Sequence, residues 1–207
     1  MRWVVFDYGE VISERTAALP DLRATLLGSA GPDGESAAAF ERAYWAEREA
    51  YDRGLPEPTY WNAVGARLGL SVDQAKADEL TSIDVRGWLR RSPATVALIE
   101  ELHEAGVPLA LLSNAPSAFG RAVERQPWST RFRELLFSGD LGVAKPDAEI
   151  WKVLLDRLDA RPSDCVFLDD RQVNVDGANL AGLEGLLWTG ADRIRARLVD
   201  LGLLGSR

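Results

Sequence analysis

Cysteine, histidine and long apolar runs are scarce in this chain of 207 residues. The one cysteine, Cys165, excludes an internal disulfide and any zinc site built from several cysteines. The one histidine, His103, lies in a helical pattern far from any predicted strand end, so we expect no histidine-centred catalytic triad. No apolar stretch reaches the roughly 18 residues of a membrane span. The N-terminal sequence MRWVVFD lacks a signal-peptide pattern, so we expect a cytoplasmic protein with no membrane partner.

Positive charge is also limited. The chain has 24 lysines and arginines against 32 acidic residues, which gives a formal net charge of -8. A field of this sign repels phosphate backbones, so we do not expect nucleic acid as a partner. The 46% of hydrophobic residues is typical of a globular protein, and the length suits one domain or one domain with an insertion. Because Cys165 opens the apolar run CVFL, we interpret it as a buried thiol rather than a nucleophile.

Short apolar runs without polar alternation recur along the chain, as expected of strands that are covered on both faces. Amphipathic helical patterns lie between these runs, over 93–105 and 147–159, and a closing one follows the last run, over 190–201. This alternation predicts an α/β fold with a parallel sheet and helices on both faces. The predicted strands are WVVF (3–6), PLALL (108–112), ELLF (134–137), CVFL (165–168) and GLLW (185–188).

The stretch 14–92 interrupts this alternation. It has no convincing strand, a loop of small residues at 28–36, and helical segments with many aromatic side chains. Tyr44, Arg48 and Tyr51 lie three or four residues apart, so we expect them to share a helix face. The pattern predicts a helical insertion at 14–92, between a first strand in 1–13 and the remaining sheet in 93–207.

Polar residues collect where the predicted strands end. Taken one at a time, each has an ordinary explanation as a turn residue, a helix cap or a solvated loop residue. The carboxyl ends of parallel strands meet at one edge, where three carboxylates would repel one another unless a cation lay among them. Oxygen ligands suit Mg²⁺, and a lysine with hydroxyl and amide donors suits a phosphate. The residues concerned are Asp7-Tyr8-Gly9, Ser113-Asn114, Gly139-Asp140 with Lys145-Pro146, and Asp169-Asp170.

Four segments carry a resemblance to a known family. VVFDYGEVI, LALLSNAP, LGVAKPDAEIW and VFLDD, in this order and spacing, resemble the signature motifs of the haloacid dehalogenase (HAD) superfamily. The stretch 14–92 lies where that family inserts a helical cap. The resemblance therefore implies a Rossmann-like core with an all-helical cap. It also implies a Mg²⁺-dependent phosphatase that acts through an aspartyl-phosphate on a small phosphorylated metabolite, for which a sugar phosphate is one candidate.

The resemblance implies a role for each acidic residue that matches a motif. Asp7 would be the nucleophile and a metal ligand, and the main-chain carbonyl of Gly9 would bind the same ion. Asp170 would bind Mg²⁺ directly, and Asp169 would do so directly or through a water. These carboxylates would then form one metal site around the nucleophile.

The remaining motif residues would bind the phosphate. Ser113 and Asn114 would hold phosphoryl oxygens, and Lys145 would neutralise the charge of the phosphate and the nucleophile. Asn174, just after the fourth motif, suits either support of the metal site or capping of a helix.

The first motif departs from the family pattern. The family usually has a second aspartate two residues after the nucleophile, which acts as general acid and base, and this chain has Gly9 there. The next residue, Glu10, is interpreted as a solvated loop glutamate. A leaving oxygen would thus receive little proton assistance from the first motif. The sequence predicts a preference for good leaving groups, unless Glu10 or a cap residue supplies the proton.

Two alternatives remain open at the level of sequence. A haloacid dehalogenase would use Asp7 to displace halide without a metal, but that chemistry has no use for the Asp169-Asp170 pair. A non-catalytic phosphometabolite-binding or partner-binding protein would have lost turnover with its acid/base aspartate. The presence of Asp7, Lys145 and both carboxylates of the fourth motif argues against that loss.

Overall fold

A computed structural model describes residues 2–28 and 34–205 of the chain. At its centre lies a five-stranded sheet with the strand order β3-β2-β1-β4-β5, and every neighbouring pair is parallel. The predicted α/β class and all five predicted strands are confirmed. The strands are β1 (Trp3–Phe6), β2 (Leu109–Ser113), β3 (Glu134–Phe137), β4 (Cys165–Asp169) and β5 (Glu184–Leu187).

In the described part of the chain six helices lie between β1 and β2, and the first five of them form a group apart from the sheet. They pack around an apolar cluster of their own, which includes the buried Leu22, Tyr44, Tyr60, Trp61 and Leu80. This cluster explains how these helices hold together away from the sheet. The helices are α1 (Leu19–Leu27), α2 (Gly34–Ala46), α3 (Arg48–Asp52), α4 (Glu57–Ala66) and α5 (Gln74–Trp88).

Two local expectations for this segment need correction. Of the predicted loop at 28–36, residues 29–33 lie outside the described residues, and 34–36 belong to the first turn of α2. The loop prediction was wrong there, because the small residues lead into a helix whose Phe40 and Tyr44 enter the apolar cluster. Tyr44 lies in α2, whereas Arg48 and Tyr51 lie in α3, so the three residues do not share the face of one helix as predicted. The Arg48 guanidinium nevertheless lies 5.5 Å from the Tyr44 ring centre and 5.6 Å from that of Tyr51.

The two ends of this helical segment lie side by side next to the sheet. Ser13 and Arg91 form an isolated antiparallel bridge. The Glu14 N–H donates to the Arg90 carbonyl at 2.9 Å, and the Ser92 N–H donates to the Ile12 carbonyl at 2.8 Å. The paired residues flank the predicted limits of the insertion, 14 and 92.

The remaining helices cover both faces of the sheet. Val4, Phe6 and Leu111 point to one face and pack in one apolar cluster with side chains of α6, α7 and α11. Val5 and Phe167 point to the other face and pack with α9 and α10. No helix in the described part of the chain is long and apolar enough to cross a membrane. These helices are α6 (Pro93–Glu104), α7 (Ser117–Glu124), α8 (Ser138–Leu141), α9 (Ala148–Leu158), α10 (Gln172–Leu180) and α11 (Ala191–Asp200).

Candidate active site

A cavity of about 440 Å³ opens at the carboxyl ends of β1, β2 and β4. Both the sheet edge and the helical insertion line it, so it has the size and position of a small-molecule site. The sheet edge contributes Asp7, Gly9, Ser113, Asn114, Lys145 and Asp170, all predicted from the sequence. The insertion contributes Trp45, Arg48, Glu49, Asp52, Arg53 and Trp88.

Lys145 occupies the centre of the site. Its Nζ donates to Asp7 Oδ1 and to Asp169 Oδ2, each at 2.7 Å. Lys145 is only 3% exposed, so the explanation of this residue as a solvated loop lysine is wrong. Buried ammonium and carboxylate groups persist only when they are paired, and here one ammonium serves two carboxylates.

Asn114 holds the main chain of that lysine. Its Nδ2 donates to the Lys145 carbonyl at 2.8 Å, and its Oδ1 accepts from the Lys145 N–H at 2.9 Å. The side chain that the resemblance assigned to a phosphoryl oxygen is therefore already bonded at both ends. Ser113, the last residue of β2, is buried and lines the cavity.

Three carboxylates converge beside the lysine. Asp7, Asp169 and Asp170 each offer one oxygen, and these oxygens lie within 4.8 Å of one another. Such a set of hard oxygen donors fits a cation of the Mg²⁺ type. The three residues come from the ends of only two adjacent strands, β1 and β4, which is why the pairing of those strands brings them together.

The fully buried Asp169 is held by its neighbours. Asn174 Nδ2 donates to both of its carboxylate oxygens, at 3.0 and 3.1 Å, and the Arg171 N–H donates to Oδ1 at 2.8 Å. Asn174 lies inside α10 rather than at its N-terminus, so of its two possible roles the structure favours support of the acidic site. Its Oδ1 is buried without a hydrogen-bond partner among the described residues.

The site carries more negative than positive charge. Burial raises the pKa of Asp7 to about 7; Lys145 works against this shift and Asp169 adds to it. Burial, Asp169 and Glu10 together raise the pKa of Asp170. Burial alone would lower the pKa of Lys145, but Asp7 and Asp169 more than compensate and hold it above its ordinary value. A bound cation would relieve the excess negative charge.

The turn after β1 leaves room beside the nucleophile candidate. A Cβ atom built on Gly9 would have no heavy atom of the described residues within 4 Å, apart from its chain neighbours, and its φ is not positive. Glu10 is exposed, lines the cavity, and adopts a left-handed backbone with φ 55°. Its N–H donates to Ser13 Oγ at 3.2 Å. Neither sterics nor backbone conformation therefore requires glycine at position 9.

Other candidates lie away from the site or have no capping role. Asp140 forms an ion pair with Arg121 at 2.6 Å and is not part of the cavity lining. Neither Ser113 nor Asp170 caps a helix, because α7 and α10 begin after Pro116 and Arg171 without a side-chain cap. Cys165 is buried in β4, as predicted.

Sequence reasoning missed Asp52. It is the last residue of the short helix α3, and it lines the cavity from the insertion. Arg48 Nε donates to its Oδ1 at 2.8 Å. No local pattern marks this aspartate, because its position depends on how the insertion packs on the sheet.

Comparison with known proteins gives a consistent result. A family model for haloacid dehalogenase-like hydrolases matches residues 1–182. A sesquiterpene phosphatase of Aspergillus oryzae is 27% identical over 140 residues, which cover 67% of this chain and 70% of that protein. A ribulose-1,5-bisphosphate 5-phosphatase of Halopiger xanaduensis is 29% identical over 158 residues, which cover 75% of this chain and 61% of that protein.

Solved structures share the fold at low identity. The HAD-hydrolase YfnB from Bacillus subtilis, bound to magnesium, has a TM-score of 0.74 and 16% identity, covering 96% of this chain and 98% of that one. The L-2-haloacid dehalogenase from Xanthobacter autotrophicus has a TM-score of 0.68 and 18% identity, covering 97% and 83%. At these identities the matches establish the fold only, and the reaction has to be argued from the residues of the site.

Proposed function

The chain belongs to the haloacid dehalogenase-like hydrolases, and from this we propose that it is a Mg²⁺-dependent phosphatase acting on a small phosphorylated metabolite. The observation that carries the proposal is the position of the Lys145 ammonium, 2.7 Å from both Asp7 and Asp169 below an open cavity. That arrangement provides a carboxylate nucleophile and a fixed positive charge for an anionic substrate. The curated relatives described above are phosphatases, which supports the same class of reaction.

The chain's own residues supply each step. The Asp7 carboxylate attacks phosphorus, the ester P–O bond breaks, and an aspartyl-phosphate forms; water then hydrolyses it and regenerates Asp7. The Lys145 ammonium reduces repulsion between the two anions during attack. The Ser113 hydroxyl donates to a phosphoryl oxygen, and Asn114 keeps Lys145 in place through its main chain.

The metal would bind beside the nucleophile. We propose Asp7, Asp170, the main-chain carbonyl of Gly9 and Asp169, directly or through a water, as its ligands. When bound, Mg²⁺ supplies Lewis-acid stabilisation of the charge on the phosphoryl group. Asn174 and the Arg171 N–H keep the Asp169 carboxylate in one orientation, which limits how it can share in binding.

The helical insertion would act as the cap over this site. We propose that residues 14–92 form this cap and that 1–13 with 93–207 form the core. Trp45 and Trp88 line the cavity from the insertion and offer apolar surface to the part of the substrate that carries no phosphate. The volume of about 440 Å³ suits a metabolite the size of a sugar phosphate.

One experiment tests the nucleophile and the metal together. Hydrolysis of 4-nitrophenyl phosphate is measured with and without Mg²⁺, for the wild type and for Asp7→Asn. We expect Mg²⁺-dependent turnover that Asp7→Asn abolishes, and beryllium fluoride should label Asp7. Asp140→Asn is the matched control, because this carboxylate follows β3 but does not line the cavity. Near-normal turnover by Asp7→Asn would contradict the proposal.

The same preparation separates the alternatives. Chloride release from 2-chloropropionate without phosphatase activity would replace the proposal with a dehalogenase. Binding of inorganic phosphate, without turnover of a panel of phosphorylated metabolites assayed with Mg²⁺, would support the non-catalytic alternative. The panel also identifies the preferred substrate.

A further inference from the structure

We propose that Asp52 of the helical insertion is the general acid for the leaving group, and then the general base for the attacking water, in place of the side chain that Gly9 lacks. This inference rests on the proposed phosphatase function and adds a catalytic residue to it. A proton donor has to come from elsewhere in the chain, because the turn after β1 has no acidic side chain at position 9.

The two oxygens of Asp52 have different surroundings. Oδ1 accepts from Arg48 Nε at 2.8 Å, while Oδ2 has no hydrogen-bond partner within residues 2–28 and 34–205. The side chain is 17% exposed, and it lines the same cavity as Asp7. One oxygen is thus anchored, and the other is open to a molecule bound in the cavity.

The main chain of Asp52 is fixed to the loop that follows β2. The Ser138 hydroxyl donates to the Asp52 carbonyl, and the same hydroxyl oxygen accepts from the Ala115 N–H at 2.9 Å. Ala115 directly follows Ser113 and Asn114. The main chain of Asp52 is therefore tied to the phosphate-binding candidates by two consecutive hydrogen bonds.

The next two residues add further attachments to the core. Arg53 Nη1 donates to Asp147 Oδ2 at 2.6 Å, two residues after Lys145 in the chain. A Cβ atom on Gly54 would lie 2.8 Å from the Gly139 carbonyl oxygen, so the two backbones are in direct contact. We call residues 52–54 the docking segment. Three successive attachments position it, as a catalytic side chain requires.

The charges around Asp52 suit proton transfer at neutral pH. Arg48 also binds Asp84 at 3.1 Å, so one guanidinium serves two carboxylates in a buried setting. Burial is the largest influence on Asp52 and raises its pKa to about 6, against opposing effects of Arg48 and Arg171 and with an added contribution from Asp84. An acid of this pKa donates a proton readily and accepts one back near neutrality.

The proton balance closes over one turnover. In the first step the ester P–O bond breaks as Asp7 bonds to phosphorus, and the leaving oxygen takes the proton from Asp52. In the second step the Asp52 carboxylate takes a proton from water as that water attacks the aspartyl-phosphate. The P–O bond to Asp7 then breaks, phosphate leaves, and Asp52 is protonated again.

The test is the dependence of kcat/KM on leaving-group pKa, over aryl phosphates and one alkyl phosphate. For the wild type we expect a shallow dependence. In Asp52→Asn, which keeps the size of the side chain and an acceptor for Arg48, we expect a steep one. In Asp52→Asn, kcat should fall for every substrate because the second step loses its base, whereas kcat/KM reports the first step. The kcat/KM for 4-nitrophenyl phosphate should fall least, and that for the alkyl phosphate should fall roughly 10²–10⁴-fold, the usual range for general acid catalysis. Asp84→Asn is the matched control, because it removes the charge of the other carboxylate bonded to Arg48 and does not line the cavity.

Several results would overturn the inference. A steep dependence of kcat/KM on leaving-group pKa in the wild type would overturn it before any variant is measured. If Asp84→Asn showed as steep a dependence as Asp52→Asn, the inference would also fail. A uniform loss across the series in Asp52→Asn, with an unchanged slope, would make Asp52 a substrate-binding residue only. Failure of the proposed function looks different, because the wild type itself would then hydrolyse none of the phosphates with Mg²⁺. A cooperative thermal melt and a circular dichroism spectrum like those of the wild type report that Asp52→Asn is folded.

Discussion

At the scale of single residues, the space beside the nucleophile candidate determines what the first motif can do. The turn after β1 has open space where a side chain at position 9 would begin. A steric conflict is therefore not the reason why position 9 lacks an acidic side chain. Asp52 reaches the same cavity from the insertion, so the two positions are alternative sources of one proton.

This equivalence can be tested by moving the acid. In the Asp52→Asn background, Gly9→Asp should restore hydrolysis of alkyl phosphates, because it places a carboxyl two residues after Asp7 in space that is free. We expect recovery of a large part of the roughly 10²–10⁴-fold loss, measured as kcat/KM. Gly9→Asn is the matched control, since it adds the same volume without a transferable proton. Equal recovery by both variants would show that the added side chain acts through binding.

At the scale of elements, the docking segment connects the insertion to the sheet edge. Gly54 has φ +98°, a conformation that favours glycine, and it faces the Gly139 carbonyl at close range. Gly69, in the connection between α4 and α5, also has a positive φ of +74°, but a Cβ there would meet no described atom within 4 Å. A residue with a side chain would be strained at either position, but only at Gly54 would its Cβ also meet the core.

Alanine at each position separates these effects. Both Gly54→Ala and Gly69→Ala should lower the free energy of unfolding by about 1–3 kcal/mol through backbone strain. Only Gly54→Ala should also displace the docking segment, and we expect kcat/KM on alkyl phosphates to fall by up to about 10²-fold, a typical effect of misplacing a catalytic group by 1 Å. Thermal melts and steady-state kinetics measure the two quantities. Equal activity in the two variants would mean that the contact with Gly139 does not position the segment.

At the scale of the whole molecule, the acidic site links stability to pH and metal. The pKa of Asp7 is raised from its ordinary 3.8 to about 7, so the folded protein holds this proton more tightly than the unfolded chain. The contribution of Asp7 to the free energy of unfolding is then present at low pH, and is lost as pH rises from about 4 to 7. Mg²⁺ needs the deprotonated carboxylate, so its binding should strengthen over the same range.

The stabilising effect of Mg²⁺ should therefore depend on pH. For one ligand with a pKa of about 7, the apparent affinity should rise about tenfold between pH 6 and pH 8. We expect millimolar Mg²⁺ to raise Tm more at pH 8 than at pH 6, because the ion binds the folded site and not the unfolded chain. Asp170→Ala should remove the rise at both pH values. A Tm unaffected by Mg²⁺ at pH 8 would mean that the three carboxylates are not a metal site.

Local sequence patterns were enough to predict the sheet and the position of the site at its edge. Strand runs such as WVVF and CVFL are local apolar patterns, and polar residues that follow parallel strands must meet at one edge, whatever the loops between them do. The convergence of Asp7, Ser113 and Asp170 accordingly follows from their positions at strand ends, whereas Lys145 lies beyond α8 in a loop that Asn114 holds. The start of α2 at Gly34 was not predicted, because helix formation there depends on packing of its aromatic residues in the cluster of the insertion.

Tertiary contacts alone determine which groups face one another across the site. The Asn114 side chain is bonded to the main chain of Lys145, 31 residues along the chain, rather than left free in the cavity. Asp52 reaches the cavity because Ser138, 86 residues away, holds its carbonyl. The first contact depends on how the loops after β2 and β3 meet, and the second on how two separately packed apolar clusters dock. No periodicity or local spacing records either geometry.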